Sequence, residues 1–476
     1  MSAESYRSQA SLSHSNLSRR RFLQWSAMAG IGGALAACAA PVAPASQSGG
    51  GEAAAPAGEL IELAYMTPDR ELENRVKEVE MNGFNAAMEA AGKPYRVTNV
   101  VGPATDNDIK TKLTLDAAAG TLPDIFGSRP ELLADFVAAG YLADLRSQIE
   151  AWPDWNQYPD VLKGFAEFDG KLIGIPGGGT FSFYYRKDVL EAAGISTDQP
   201  ATWDDFYGIC GQIAEKTDAT ATGIPAATPW GGGTWGEAFQ MIWLSFNGPI
   251  WEDGKWVVHS PNLLNAFKVY ETISSNGWLT VDELLTPNPW EPIKYDGFPA
   301  GKVAIVTGGD WQWTFDWGPE GATPIEGLFE KVERWAFPAE DGNPFTFVDG
   351  GVGAVVASNT KSVDGAFEFL SYTQQPEVLC ETIKIHIGGP VARKDFPEKC
   401  PAYADVVNGK MLQASKFLES GRTFNFNQLG AGKISDGVGR ATEDIITGVM
   451  TAEEAMNAFA DAMTDALGED MVMRVS

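Results

Sequence analysis

From Leu60 onward the hydrophobic period of the chain switches repeatedly between strand-like and helix-like. That alternation limits the fold more than any other feature. Leu60-Ile61-Glu62-Leu63-Ala64-Tyr65-Met66 reads as a buried strand, and Leu72, Val76, Val79, Phe84 and Met88 then fall on one face of a helix. Tyr95 to Val101 reads as a second strand, Ile109, Leu113 and Ala117 mark a second helix, and Asp124-Ile125-Phe126 is a short third strand. Pro130 to Ala139 is a helix with proline in its first turn and Gly140 at its end. A β-α-β-α order of this kind calls for a largely parallel sheet with helices on its faces.

A second unit of the same class starts near Lys171-Leu172-Ile173-Gly174-Ile175-Pro176. Helices follow at Asp188–Ala193, at Thr202–Lys216 with Thr202 capping and Asp205 three residues on, and at Pro261–Asn276. Val303 to Thr307 and Gly351 to Ala357 read as later strands, and Thr451 with Glu454 forms a capping box before Ala455, Phe459 and Met463. From Cys38 onward the chain has about 440 residues, long for a single hydrophobic core, so two domains are expected.

None of this begins before Leu60. Ser18-Arg19-Arg20-Arg21-Phe22-Leu23-Gln24 is followed by an apolar stretch from Trp25 to Ala37, too short to span a bilayer, and then by Leu35-Ala36-Ala37-Cys38. The segment resembles a twin-arginine signal that ends in a lipobox, which implies lipidation of Cys38 as the new N-terminus. Residues 1–37 are then a signal peptide, and 38–58, almost wholly Ala, Pro, Gly and Ser, a flexible tether.

The net charge is −28; removal of residues 1–37 leaves 31 basic against 62 acidic residues, or −31. That balance argues against a nucleic-acid backbone as partner and against attraction to anionic lipid, so membrane contact is expected through the lipid anchor only. Beyond Cys38 the chain has only His259 and His386, with no Cys-x-x-Cys, so no metal site is expected. Cys210 lies in an apolar helical pattern and reads as a buried thiol. Whether Cys380 and Cys400 pair is left open, because sequence does not give the distance between them.

Several short motifs then occur in a telling order. Leu122-Pro123-Asp124-Ile125-Phe126 precedes the helix that ends Ala139-Gly140-Tyr141-Leu142-Ala143-Asp144-Leu145. Phe168-Asp169-Gly170-Lys171-Leu172-Ile173-Gly174-Ile175-Pro176 and Phe183-Tyr184-Tyr185-Arg186-Lys187-Asp188-Val189-Leu190 come next. Thr202-Trp203-Asp204-Asp205-Phe206, Phe298-Pro299-Ala300-Gly301-Lys302-Val303-Ala304 and Gly308-Gly309-Asp310-Trp311 complete the set. This succession resembles the extracellular solute-binding proteins of ABC importers, in the family that includes the maltose-binding protein. The resemblance implies a periplasmic-binding-protein-like α/β fold, with two lobes joined by several crossing segments and a ligand cleft between them. By the same resemblance the crossings fall near Pro176–Phe181, Val306–Gly308 and Val348–Gly351. Lobe 1 is then 59–175 plus 307–347, and lobe 2 is 176–306 plus 348–476. It further implies a monomeric, non-catalytic receptor without a cofactor, which captures a carbohydrate and delivers it to permease transmembrane subunits. A polyamine or peptide receptor is the alternative within the family; a secreted glycoside hydrolase is the alternative outside it.

Sugars offer flat C–H faces and a rim of hydroxyls, so aromatic planes ringed by carboxylates, amides and guanidinium groups are the side chains to look for. Fourteen tryptophans follow Cys38. Trp230 and Trp235 sit in a glycine-rich stretch, and Trp311 and Trp313 flank Gln312 just after Asp310 on an expected crossing, where the family places a stacking tryptophan. Asp69 follows the first strand, at the end where open α/β sheets bind ligands, or else caps the next helix. Ser128 and Arg129 follow the third strand at the equivalent point. Asp349 lies on the third crossing, as ligand or turn residue, and Asn425 and Asn427 alternate with phenylalanines in a loop. Gly177, Gly178 and Gly179 on the first crossing, with Gly308 and Gly309 on the second, are expected to act as hinges.

Overall fold

The computed structural model describes residues 59–127 and 130–475. The expected signal peptide, tether and Cys38 lie outside the described residues, as do Ser128 and Arg129. The opening strand β1 (Ile61–Thr67) pairs in parallel with β2 (Tyr95–Val101) over seven residues and with β3 (Ile125–Gly127). Between β1 and β2 the helix Glu71–Ala90 buries Met81, Phe84 and Met88. Val79 faces solvent instead, because the buried stripe runs through Glu80 and Met81, and Glu80 is paired with Lys77.

The second sheet is built on the long strand β4 (Pro176–Arg186). Next to it lies β6 (Val303–Gly309), antiparallel to β4 and parallel to β5 (Thr220–Gly223). Two successive strands share the other edge of β4: β7 (Val332–Trp335) along its second half and β8 (Phe347–Val352) along its first. Right after β8 comes β9 (Ala354–Val356), which leaves this sheet and pairs antiparallel with β3 in the first. The first sheet therefore has the order β9-β3-β1-β2.

Two large hydrophobic cores result among the described residues. One gathers Leu63, Phe84, Ile125, Phe126, Ile149 and Ile175 with Val355, Val356 and Phe369; the other gathers Phe183, Phe206, Tyr270 and Val306 with Trp313, Val332, Phe347, Ile434 and Met463. The chain crosses from the first to the second at Ile175–Pro176, returns at Val352–Ala354, and crosses again after the helix Val363–Thr373. Two of these crossings, β4 and β8, are hydrogen-bonded to each other from Pro176 to Phe181, a paired ribbon between the lobes.

The expected partition is corrected here. Residues 307–347 pack with the second lobe, because β6 is paired and buried along its whole length and Trp313, Trp317 and Trp335 enter the second core. The stretch from β9 through Val363–Thr373 packs with the first lobe, so Val306–Gly308 is no crossing. The local signals behave as expected. Thr202 and Asp205 form a reciprocal capping box on Trp203–Lys216, and Thr451 and Glu454 do so on Ala452–Leu467. Cys380 and Cys400 are disulfide-bonded with α-carbons 5.8 Å apart, and Cys210 is a buried thiol.

Candidate functional site

Trp230 ends a short turn whose backbone is under strain. Ala227 is a non-glycine residue at φ +69° and ψ 168°, a conformation almost confined to glycine that costs on the order of 1–3 kcal/mol. Its surroundings hold it there. The Ala227 N–H donates to Thr442 Oγ1 at 3.0 Å, its carbonyl accepts from Thr234 Oγ1 at 2.8 Å, and the next N–H donates to Glu443 Oε2 at 2.9 Å. Strain maintained this way concentrates where a side chain must be aimed.

The side chain aimed is Trp230, which is itself buried against the second core at 5% exposure. Its ring meets Trp290 edge-on at 6.3 Å, and Lys294 Nζ lies 5.4 Å from the ring centroid. Lys294 is nearly fully buried and ion-paired with Glu237. Each member of that pair sits on a π-helical turn, Trp235–Phe239 and Glu291–Gly297. Such turns are rare and recur at functional sites, because the extra residue redirects a side chain. Behind the pair, Trp317 Nε1 donates to the Lys294 carbonyl at 2.9 Å. Burial pushes the Asp316 carboxyl up to about 6, with Lys294 opposing the shift and Glu237 adding to it. Burial also raises the Tyr295 hydroxyl, with Asp316 and Glu237 adding to it, and the Arg70 guanidinium of the first lobe pulls the other way. Tyr295, next to Lys294 on the same turn, thus lies within electrostatic reach of Arg70, which precedes the first lobe's opening helix.

Among the expected ligand residues, Trp311 is half-buried with its edge on Phe181 at 5.1 Å. Trp313 is not at a surface. It is 1% exposed and packs between Tyr184 and Phe329. Trp235 is likewise in the second core, stacked on Phe426 at 4.8 Å. Asp310 is buried and spent internally: it accepts from the Thr180 N–H at 2.6 Å and Thr180 Oγ1 at 2.9 Å, and pairs with Arg334 at 3.1 Å. It fastens β4 to β6, and burial raises its carboxyl against the pull of Arg334. Asn425 Nδ2 donates to the Gly164 carbonyl at 2.9 Å and Asn427 Nδ2 to the Glu167 carbonyl at 3.0 Å. Both amides are therefore used as ties to residues 164–167. Asp349 is half-buried on β8 opposite Gly179. Asp69 is exposed after β1, and the residue at the helix N-cap position is Arg70, without a side-chain cap, so the capping alternative does not hold.

The five expected hinge glycines lie in strands, and none has a positive φ. Close approach is the reason for glycine at three of them. A Cβ on Gly178 would come within 3.0 Å of Leu162, one on Gly308 within 2.1 Å of Gln312, and one on Gly309 within 2.0 Å of the Trp311 ring. Sequence reasoning missed Glu237, Trp290, Lys294 and Asp316. The close spacing of rings and charges in Trp290-Glu291-Pro292-Ile293-Lys294-Tyr295, just ahead of the Phe298-Pro299-Ala300-Gly301 motif, was the available signal.

The family model for bacterial extracellular solute-binding proteins matches residues 84–407. The chain belongs to that family. Among relatives of this solute-binding protein, an arabinooligosaccharide-binding protein of Halalkalibacterium halodurans is 26% identical over 284 residues, covering 56% of this chain and 60% of the relative. The diacetylchitobiose binding protein DasA of Streptomyces coelicolor is 26% identical over 273 residues, covering 56% and 59%. The matched region thus spans about three fifths of each relative. In fold, the solute-binding protein is similar to the GacH receptor of Streptomyces glaucescens, with TM-score 0.71, 18% identity and 86% and 99% of the two chains covered. It is also similar to a cyclic alpha-maltosyl-1,6-maltose binding protein from Arthrobacter globiformis, with TM-score 0.69, 19% identity and 86% and 99% covered. The two-lobed α/β architecture is that of the maltose-binding-protein-like receptors.

Proposed function

We propose that this solute-binding protein is the carbohydrate receptor of an ABC importer, a monomer that captures a mono- or oligosaccharide between its lobes and hands it to permease subunits. The observation that carries the reading is the wall on the second lobe, where two indoles stand beside a carboxylate held by a buried ammonium. Rings of that kind suit a sugar's C–H face, and the charged rim suits its hydroxyls. The family and the names of its relatives support a carbohydrate over other solutes. Receptor action needs differential contact with the ligand in the open and closed forms, and two lobes joined by a paired ribbon are suited to it.

The test is a thermal-shift panel of maltose, N,N′-diacetylchitobiose, arabinooligosaccharides and ribitol. A ligand at a hundred times its Kd should add about 2.7 kcal/mol to the folded state. The same ligand should reduce the radius of gyration in small-angle scattering and be recovered unchanged. Cleaved product at catalytic rates would make the protein a glycoside hydrolase, and an unchanged radius at saturation would remove lobe closure.

The same reading includes export by a twin-arginine signal and a lipid anchor on Cys38. Cys38→Ala should then move the protein from the membrane fraction to the soluble fraction. Mass spectrometry that finds an unmodified N-terminus upstream of Cys38 in the wild type would reject the anchor.

A further inference from the structure

Trp230 and Glu237 converge on one small volume beside Gly233. A Cβ placed on Gly233 would lie 2.5 Å from the indole Nε1 of Trp230 and 3.1 Å from Glu237 Oε1. The missing side chain therefore lets the indole edge pack against the Gly233 backbone, which brings a donor and an acceptor to the same spot. The other carboxylate oxygen, Oε2, is committed to Lys294 Nζ. The Glu237 side chain remains 22% exposed while that of Lys294 is 4% exposed, so the carboxylate is anchored from behind and presented forward. The same ammonium lies over the Trp230 ring, so one buried charge positions both groups. The strained Ala227 and the two π-helical turns fix the backbone that carries them.

We propose that Trp230 Nε1 and Glu237 Oε1 form a donor–acceptor pair that reads two adjacent hydroxyls of the ligand, with Gly233 letting the indole lie close and Lys294 acting as the positioning residue. This assignment rests on the carbohydrate reading. One hydroxyl accepts from the indole N–H and its neighbour donates to the carboxylate. A hydroxyl does either, whereas an ammonium group only donates, so a polyamine would leave the indole N–H without a partner. Loss of either hydroxyl strands one of the two protein groups, and a site that hydrogen-bonds a substrate hydroxyl discriminates strongly against the analogue that lacks it.

The experiment is titration calorimetry with the sugar that gives the largest shift in the panel, together with its monodeoxy analogues. Removal of either of two adjacent hydroxyls should weaken binding at least ~10-fold, and removal of the others less. Gly233→Ala and Glu237→Ala should each weaken binding of the parent sugar at least ~10-fold. In Glu237→Ala, the parent should lose its advantage over the analogue that lacks the carboxylate's hydroxyl. The pair is overturned if all monodeoxy analogues bind the wild type equally, or if Glu237→Ala discriminates as the wild type does. Should a variant fail to fold, the analogue series on the wild-type protein decides alone. If no sugar in the panel binds, the receptor reading fails and this pair with it.

Discussion

Arg393→Ala should lower the unfolding free energy by about 3–5 kcal/mol, the usual effect of removing one partner from a buried ion pair. The Arg393 side chain has no exposed surface, yet it carries a full charge. Its Nε and Nη2 donate to the two oxygens of Asp395 at 2.9 Å each, and Nη1 donates to Asp154 at 2.7 Å and to the Gln374 carbonyl at 2.9 Å. Asp154 precedes Trp155 and Tyr158, which pack with the first core, whereas Asp395 precedes Phe396 of the second. One guanidinium thus clasps both lobes where the chain makes its third passage between them. Its hydrogen bonds hold the Asp395 carboxyl down at about 2. Lysine cannot reproduce that fork, so Arg393→Lys should fall between wild type and alanine. Urea unfolding followed by tryptophan fluorescence measures the difference. A loss below about 1 kcal/mol, a surface-pair value, would show that the clasp contributes little.

Asp316→Asn should do the reverse and stabilise the protein at pH 7, by up to about 3 kcal/mol. Burial raises this carboxyl from 3.8 to about 6, so the folded state binds its proton more tightly than the unfolded state does. Stability contributed by the neutral acid is whole below pH 3.8, falls as pH rises through the window from 3.8 to about 6, and is absent above it. Asparagine has no proton to lose. The difference between variant and wild type should therefore be near zero at pH 3.5 and grow to its full value by pH 7. A flat difference across that range would mean that Asp316 ionises in the fold as it does in water.

Local features were legible in the sequence because their causes are local. The capping boxes at Thr202 and Thr451 need only residues three apart, and β1 and β2 announce themselves by composition and period. The assignment of 307–347 was not legible, since the buried strand Val303–Gly309 looks the same in either sheet and only its pairing with β4 and β5 decides. The tryptophans show the same limit. Trp230, Trp235, Trp311 and Trp313 have similar neighbours in sequence, but how deeply each ring is buried depends on what lies across from it, such as Trp290, Phe426, Phe181 or Phe329. The Glu237–Lys294 pair spans 57 residues and sits on two π-helical turns, so the rings and charges around Lys294 do not show in the sequence that Glu237 lies across from them.

The outer strand of the first sheet has a bearing on how the chain is made. β1, β2 and β3 are complete once Gly127 has left the ribosome, but β9, which covers the free edge of β3, is not translated until Val356. For the whole interval in which β4 to β8 are synthesised, the backbone of β3 presents unpaired donors and acceptors, an open template for another strand. The first lobe therefore closes only after most of the second has emerged, and the nascent chain is at its most prone to mispairing in between.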